Sequence, residues 1–403
     1  MPVITTILDL ILYTIGIYLL LNCCYLLFFA LAGHRKVAPL PKVQDSSRKR
    51  NICVLIPAYK ENVVVLESSK AALQHAYGGN CDVHVIADSL QPETIQKLKQ
   101  QGAGVIEVSF EKSTKGKALL TALDALPPDK YDVAVVLDVD NIMGRNFLEE
   151  VNNAFEAGFR VVQAHRTAKN LDTSFAFLDA CNEEINNHIY RKGHFAVGMS
   201  SALIGSGMAF EYGYLKKLLA GIGETVGEDK ELDFRIAKDQ VRICYLNEVY
   251  VYDEKVENAK VFTQQRTRWI AAQLEFLKKY AGEGFVRLFR HGNLEFFNKV
   301  LQAFLVPRML LIGTLGLLFL LSLLIPFGPP VAFWAALLVL LSAALLTSLP
   351  ARLYRDRRLP EAVLRLPYAV LCMGAALLRI NKAKASFLPT PHKTKTVSSH
   401  VND

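Results

Sequence analysis

Asp132-Val-Ala-Val-Val-Leu-Asp138-Val-Asp140-Asn141 is a short, almost wholly apolar run that stops abruptly at carboxylates. Uninterrupted apolar character over so few residues belongs to a strand buried on both faces, and such strands occur in parallel sheets covered by helices. Three upstream segments share that character: Asn51-Ile-Cys-Val-Leu-Ile-Pro57, Asp82-Val-His-Val-Ile-Ala87 and Gly104-Val-Ile-Glu-Val108. Helical patterns over 61–77 and 116–126 lie between them. Strands alternating with helices predict an α/β domain with a mostly parallel sheet. Ligands of such sheets bind beyond the carboxyl ends of the strands. The residues expected there are Tyr59 and Glu61 after the first strand, Asp88 after the second, and Asp138 and Asp140 after the fourth.

The flanks have a different composition. Of 403 residues 51% are apolar, and the 43 residues between Arg308 and Arg352 carry no charge at all. A run of that length matches two membrane helices of about 20 residues each. We place them at 303–325 and 331–349, joined by the turn Pro326-Phe-Gly-Pro-Pro330. Residues 10–32 form a third apolar segment, long enough to span. The first nine residues contain no Lys or Arg, so a cleaved signal peptide is not expected. Basic residues follow the segment at Arg35, Lys36, Lys42, Arg48, Lys49 and Arg50, which puts residue 33 onward in the cytoplasm. Arg352, Arg355, Arg357 and Arg358 after the hairpin, and Lys382, Lys384, Lys393 and Lys395 in the tail, agree.

Between Arg365 and Arg379 only 13 residues are uncharged, too few to cross, so 363–380 reads as an interfacial helix, with a third C-terminal span as the alternative. Segment 270–300 reads either as a surface-bound amphipathic helix or as a plain soluble one. The expected organisation is an N-terminal membrane helix (1–33), a basic linker (34–50), a cytoplasmic α/β domain (51–260), motif-bearing and interfacial helices (261–302), a membrane hairpin (303–349) and a cytoplasmic loop, interfacial helix and basic tail (350–403).

Composition excludes several classes. There is no repeat or low-complexity tract, which excludes collagen, coiled coil and disorder. Seven scattered cysteines include no CxxC, so a structural zinc is not expected. The net charge of +8 fits basic membrane flanks; no basic patch is interleaved with aromatics, so nucleic acid is not an expected partner.

Three motifs carry chemistry. Asp138 and Asp140, one residue apart at a strand end, can share Mg²⁺ or Mn²⁺ with a diphosphate, although solvated loop carboxylates would look the same. Gly227-Glu228-Asp229 opens a helix, where carboxylates either cap it or supply a general base. Gln264-Gln265-Arg266-Thr267-Arg268-Trp269 offers two guanidinium groups for a leaving diphosphate and an indole face for a sugar ring, or else a basic helix at a membrane surface.

Taken in order, Ile56-Pro-Ala-Tyr-Lys-Glu61, Val85-Ile-Ala-Asp-Ser89, Leu137-Asp-Val-Asp140, Gly205-Ser-Gly-Met-Ala-Phe210, Gly227-Glu-Asp229 and Gln265-Arg-Thr-Arg-Trp269 resemble the membrane-embedded family 2 glycosyltransferases, the group of the cellulose, hyaluronan, chitin and poly-N-acetylglucosamine synthases. The tail Phe387-Leu-Pro-Thr-Pro-His392 loosely resembles the gating loop of cellulose synthase. The resemblance implies a GT-A fold and inverting transfer from a nucleotide sugar, with Mg²⁺ or Mn²⁺ as cofactor. It implies that Tyr59, Glu61 and Asp88 hold the nucleoside, that Lys117 touches the diphosphate, that Asp138 contacts the nucleotide and that Asp140 binds the metal. Asp229 would be the base. Arg266 and Arg268 would stabilise the leaving diphosphate, and Trp269, Gln265, Glu228, Gly205, Ser206 and Gly207 would border the acceptor. The Glu-Asp-Lys sequence after Gly227 lies between the cellulose-type and hyaluronan-type forms and does not name the sugar.

Three functions remain open at this stage: a processive polysaccharide synthase of a bacterial inner membrane, with lipids and a homo-oligomer or export partner around it; a transferase adding one sugar to a lipid or lipid-linked glycan; and a non-catalytic partner in glycan export.

Overall fold

A computed structural model of the chain describes residues 2–37, 48–223, 225 and 227–379. Most of the basic linker, the tail lysines and the stretch compared with a gating loop lie outside the described residues.

Among those residues one sheet of eight strands forms the centre: β1 Ile52–Tyr59, β2 Cys81–Asp88, β3 Gly104–Val108, β4 Val133–Val136, β5 Ile142–Met143, β6 Val161–Ala168, β7 Met208–Glu211 and β8 Ile243–Asp253. Their order is β3-β2-β1-β4-β7-β6-β8-β5. The four strands expected from the sequence are β1 to β4, mutually parallel. Each face of these strands feeds its own core. Ile52, Val54, Val133 and Val135 pack on one side; Cys53, Leu55, Ala134 and Val136 pack on the other. Burial of each such Val, Leu or Ile contributes about 1.5–3 kcal/mol, which explains why this half reads as continuous apolar runs.

The other half is mixed. β7 runs antiparallel to both β4 and β6, and β5 antiparallel to β8. The chain enters β7 through Gly205-Ser206-Gly207. Gly207 has φ +60°, and a Cβ there would meet Val251 Cγ1 at 2.5 Å, so the tight entry requires glycine.

Register sets the active edge. Tyr59 pairs with Asp88 at the ends of β1 and β2, and β4 runs alongside from Ile52↔Val133 to Leu55↔Val136. All three carboxyl ends therefore open on one side. Lys60 and Ser89 follow with φ near +60°, a left-handed turn that takes the chain sharply off the sheet.

Outside the sheet, among the described residues, two helices are long and apolar enough to cross a membrane: Val3–Ala32 and Val331–Ser348. The expected 303–325 helix is corrected. The structure has Leu294–Phe304 and Arg308–Ser322, bent by 53° at the break, and together they pass as one broken span or a re-entrant pair. Pro307 sits at that break and has no N–H to continue the helical ladder. The hairpin turn is tied to the first helix, where Asp9 accepts from the Gly328 amide. Trp334 is buried among Leu19, Cys23 and Leu26.

The helix Leu366–Leu378 has 13 residues, a rise of about 20 Å, too short to span. Its Cys372, Met373 and Ala376 pack on Phe262 and Ile270. Those two belong to the 33-residue helix Ala259–His291. That helix buries Phe276 and Tyr280 against Phe234 and Phe296 and leaves Phe285 and Phe289 exposed, Phe289 by 81%. Segment 270–300 is thus packed on one face and presents an apolar stripe on the other.

The hairpin's downstream end is bonded to the sheet domain. Arg352 Nη2 donates to Glu184 Oε1 (2.6 Å) and Thr167 Oγ1 (3.0 Å), while His165 Nε2 lies 2.8 Å from Glu184 Oε2. Burial alone would raise this carboxyl, but His165 and Arg352 outweigh it and hold it down at about 2. A depressed carboxylate contributes stability above its unfolded value, and that contribution is lost as pH falls through the folded one. Glu184→Gln should lower the unfolding midpoint at pH 6 and shrink the loss between pH 5 and pH 3. Melting curves of both proteins across that range check this.

Candidate active site

The site is assembled along the carboxyl edge. Asp138 lies two residues beyond β4. Its N–H donates to Asn141 Oδ1 (3.1 Å), and its carboxylate is paired with Lys115 Nζ. Lys115 is the first residue of the helix Lys115–Ala125, capped by Thr114. The same ammonium donates to the Gly205 carbonyl at 2.6 Å. Gly205 has φ +87°, and a Cβ there would stand 3.7 Å from Asp229 Cβ. One lysine therefore links the expected nucleotide carboxylate to the loop lying on the expected base.

Glu228 and Asp229 open the helix Glu228–Lys238 directly after Gly227. Glu228 Oε1 accepts from Gly116 N (3.1 Å), locking the start of this helix to that of the lysine-bearing one. Burial pushes the Glu228 carboxyl above its ordinary value, with Asp229 and Asp138 adding to the rise and Lys115 opposing it.

Asp140 is 1% exposed. Its Oδ2 accepts from Glu254 N (2.8 Å) and its Oδ1 from Asn141 Nδ2 (3.3 Å). Asn141 also donates to Asp253 Oδ1 (3.2 Å), and its own amide oxygen accepts from the Ser206 hydroxyl. Among the described residues no group of three or more His, Cys, Asp and Glu could hold a metal. One or two aspartates completed by phosphate and water oxygens is nevertheless the donor set that suits Mg²⁺ or Mn²⁺. The residues fit an ion that arrives with the diphosphate.

Asp88 is buried and accepts from Ser89 Oγ (3.0 Å) and from Ser113, which stands two residues before Lys115. Tyr59 lies beside it across the β1–β2 pair, with Lys60 Nζ 5.0 Å above its ring. Glu61 is half-buried in the loop that follows.

Lys117 Nζ donates to Lys112 O at 3.3 Å. Lys115, two positions earlier, occupies the central position. Its place as first residue of a helix in Lys115-Gly-Lys117 was the available signal. Lys115→Met should raise the donor KM about tenfold or more, the worth of a charge-assisted hydrogen bond; a KM series for the sugar nucleotide reads it.

The Gln265–Trp269 motif lies on the Ala259–His291 helix and reaches the site through a buried charge network. Asp253 pairs with Lys255 Nζ (2.7 Å) and lies 3.7 Å from Arg166 Nε; Arg166 pairs with Glu183 (2.6 Å). Four residues before Glu183 on the same helix, Asp179 pairs with Arg266. Burial lowers Lys255 to about 7 and, with Asp140 and Asp138 adding to it, raises Asp253. The Arg266 guanidinium lies 4.0 Å from the Trp269 ring centroid, and Trp269 is 45% exposed. Arg268 is half-buried. Gln265 Oε1 is buried without a hydrogen-bond partner. Asn141, Ser113 and Asp253 were missed from the sequence. Asn141 stood in the decisive run, whereas Asp253 ends a strand whose mixed polar pattern hid it.

Comparison with known proteins identifies the family. The model of the family described as glycosyltransferase like family 2 matches residues 49–272. A curated relative, a probable glycosyltransferase (YdaM) of Bacillus subtilis, is 23% identical over 261 residues, covering 61% of each chain. The chain thus spans about three fifths of that relative's length. Among solved structures, a mannosyltransferase of Pyrobaculum calidifontis in complex with GDP-mannose and Mn²⁺ has a TM-score of 0.56 at 17% identity, covering 92% of this chain and 99% of that one. A glucosyl-3-phosphoglycerate synthase of Mycobacterium tuberculosis, with Mg²⁺ and UDP, is more distant, with a TM-score of 0.38 at 17% identity, over 60% of this chain and 84% of its own. The mannosyltransferase, bound to GDP-mannose and Mn²⁺, shares this chain's fold.

Proposed function

Because the chain belongs to glycosyltransferase family 2, we propose that it moves a sugar, with inversion, from a UDP- or GDP-sugar to a growing polysaccharide at the cytoplasmic face of a membrane. The observation that carries this reading is the Lys115 bridge, which sets Asp138 and the Gly205–Asp229 contact at one strand edge. Tyr59, Glu61 and Asp88 hold the nucleoside. Asp138 and Asp140 present the carboxylates for Mg²⁺ or Mn²⁺, which when bound neutralises the leaving diphosphate. Lys115 fixes Asp138, and the second cationic wall comes from Arg266 and Arg268. Asp229 takes the proton of the acceptor hydroxyl, and a single positioned base is enough for inversion. Trp269 offers its exposed face to the acceptor ring, and the orphan Gln265 oxygen accepts from a sugar hydroxyl. Glu228, Ser206 and Gly207 shape the loop behind.

The apolar helices and the exposed Phe285–Phe289 stripe support membrane residence with the sheet domain in the cytoplasm. Incubating the detergent-solubilised protein with labelled UDP- and GDP-sugars and Mg²⁺ or Mn²⁺, then sizing the product, tests the reading. High-molecular-weight glycan from one donor supports it. A single-sugar product that partitions into organic solvent would replace it with the second reading, transfer to a membrane lipid or lipid-linked acceptor.

A further inference from the structure

Consecutive carbonyls of the loop that leads into β7 accept from side chains. Ser201 O accepts from Lys299 Nζ (3.2 Å), Ala202 O and Leu203 O from Arg191 (3.1 and 3.4 Å) and Ile204 O from Arg166 Nη1 (3.3 Å). Gly205 O accepts from Lys115 Nζ (2.6 Å) and Ser206 O from Gln163 Nε2 (3.0 Å). Buried carbonyls must find donors, and a loop that takes them from side chains lies where those side chains put it.

One of these donors also reaches the helix that carries the base. Lys299 is 4% exposed and pairs with Asp233 (3.4 Å), itself 1% exposed. Asp233 stands four residues after Asp229 on the helix Glu228–Lys238, one turn along the same face. Its Oδ1 accepts from Leu203 N (2.9 Å). Loop and helix are therefore in register, Leu203 against Asp233 and Gly205 against Asp229. Lys230 lies 3.5 Å from the same carboxylate, but its side chain is 45% exposed, and a solvent-screened pair of that kind fixes little. The buried charge that holds Asp233 is Lys299, and the same ammonium holds the loop.

Lys299 stands on the helix Leu294–Phe304, the first half of the bent pair. Its neighbour Asn298 accepts from the Tyr25 hydroxyl (2.8 Å) of the helix Val3–Ala32. The lysine is thus fixed from the apolar side of the molecule. The sheet domain supplies the base and the loop, and this flank supplies the cation that sets one against the other.

We propose that Lys299 is a positioning residue for the transfer: it sets Asp229 and the Gly205 loop at the separation the acceptor hydroxyl needs, and touches neither substrate. This rests on the reading of Asp229 as the base.

The test compares the full-length protein in phosphatidylcholine nanodiscs with Lys299→Met and Lys299→Arg. Hydrogen exchange over 200–207 and 228–234, affinity for UDP with Mn²⁺, and kcat with the panel of UDP- and GDP-sugars are measured. In Lys299→Met the two segments should exchange about tenfold faster or more, the worth of a lost charge-assisted hydrogen bond, with the sheet strands unchanged. The kcat should fall about a hundredfold, the scale of a misplacement of about 1 Å. UDP affinity should change less than about twofold, because Lys299 bonds to neither Asp138 nor Asp140. Lys299→Arg should recover most of both losses. Unchanged exchange in Lys299→Met would overturn the proposal, and so would faster exchange spread evenly over the sheet, the mark of a general loss of stability. Faster local exchange at native kcat would overturn the positioning of the base. Should Lys299→Met fail to fold, Lys299→Gln, which keeps a donor for Ser201 O and drops the charge, is read by the same criteria. Native protein that transfers no sugar would count against Asp229 as the base and not against the hold of Lys299 on the loop, which exchange reads without substrate.

Discussion

Asp229→Asn is expected to abolish sugar transfer, with kcat down by about 10²–10⁴, while the affinity for the sugar nucleotide changes little. Proton removal by a positioned carboxylate contributes acceleration of that order. Asparagine preserves the shape that lies against Gly205, so the loop and the Lys115 bridge to Asp138 stay in place. The helix start is locked independently by Glu228 on Gly116 N. Loss of a first-turn carboxylate costs only about 0.3–1 kcal/mol of helix stability, far too little to explain an inactive enzyme through unfolding. Isothermal titration with the donor beside a product assay separates the two effects. Near-native turnover would dismiss Asp229 as the base.

Asp140→Asn carries the second large effect, through the metal. Its two oxygens are already oriented by Glu254 N and Asn141 Nδ2, so the carboxylate is fixed before any ion arrives. Asparagine keeps an acceptor for one of those bonds and removes the negative charge, which Mg²⁺ or Mn²⁺ requires from so few protein ligands. We expect donor affinity in the presence of Mn²⁺ to fall at least about a hundredfold, the scale of a lost charge interaction in a buried site. In EDTA, the native and variant proteins should bind UDP equally weakly. A variant that still shows a Mn²⁺-dependent gain in UDP affinity would show that Asp140 is dispensable for the ion.

The parallel half of the sheet is readable in the sequence because Val133–Val136, Ile52–Ile56 and Val85–Ala87 are buried on both faces and leave no polar alternation to confuse them. Their ends then located Tyr59, Asp88, Asp138 and Asp140 without further information. The antiparallel half was not readable. β7 has four residues and is entered through glycines, and β8 mixes Asn247, Glu248 and three tyrosines into its run. Asp253 ends β8 within that mixed pattern, so no period announces it. The helix break at Pro307 is hidden for a related reason: the two helices pass together as apolar enough for one span, while the backbone bends by 53° between them. Spacing along the chain does not reveal which of two lysines, half a helical turn apart, meets Asp138. In the structure, Lys115 does.

The Arg352–Glu184 contact has a consequence for anyone recombining these parts. Glu184 belongs to the sheet domain, and its arginine partner comes from beyond the apolar hairpin. Ser174 and Glu361 join the same two regions a second time. Domain and hairpin are therefore not interchangeable modules. A chimera that grafts this sheet onto a foreign hairpin inherits a buried carboxylate missing one cation, unless an arginine is supplied at the graft.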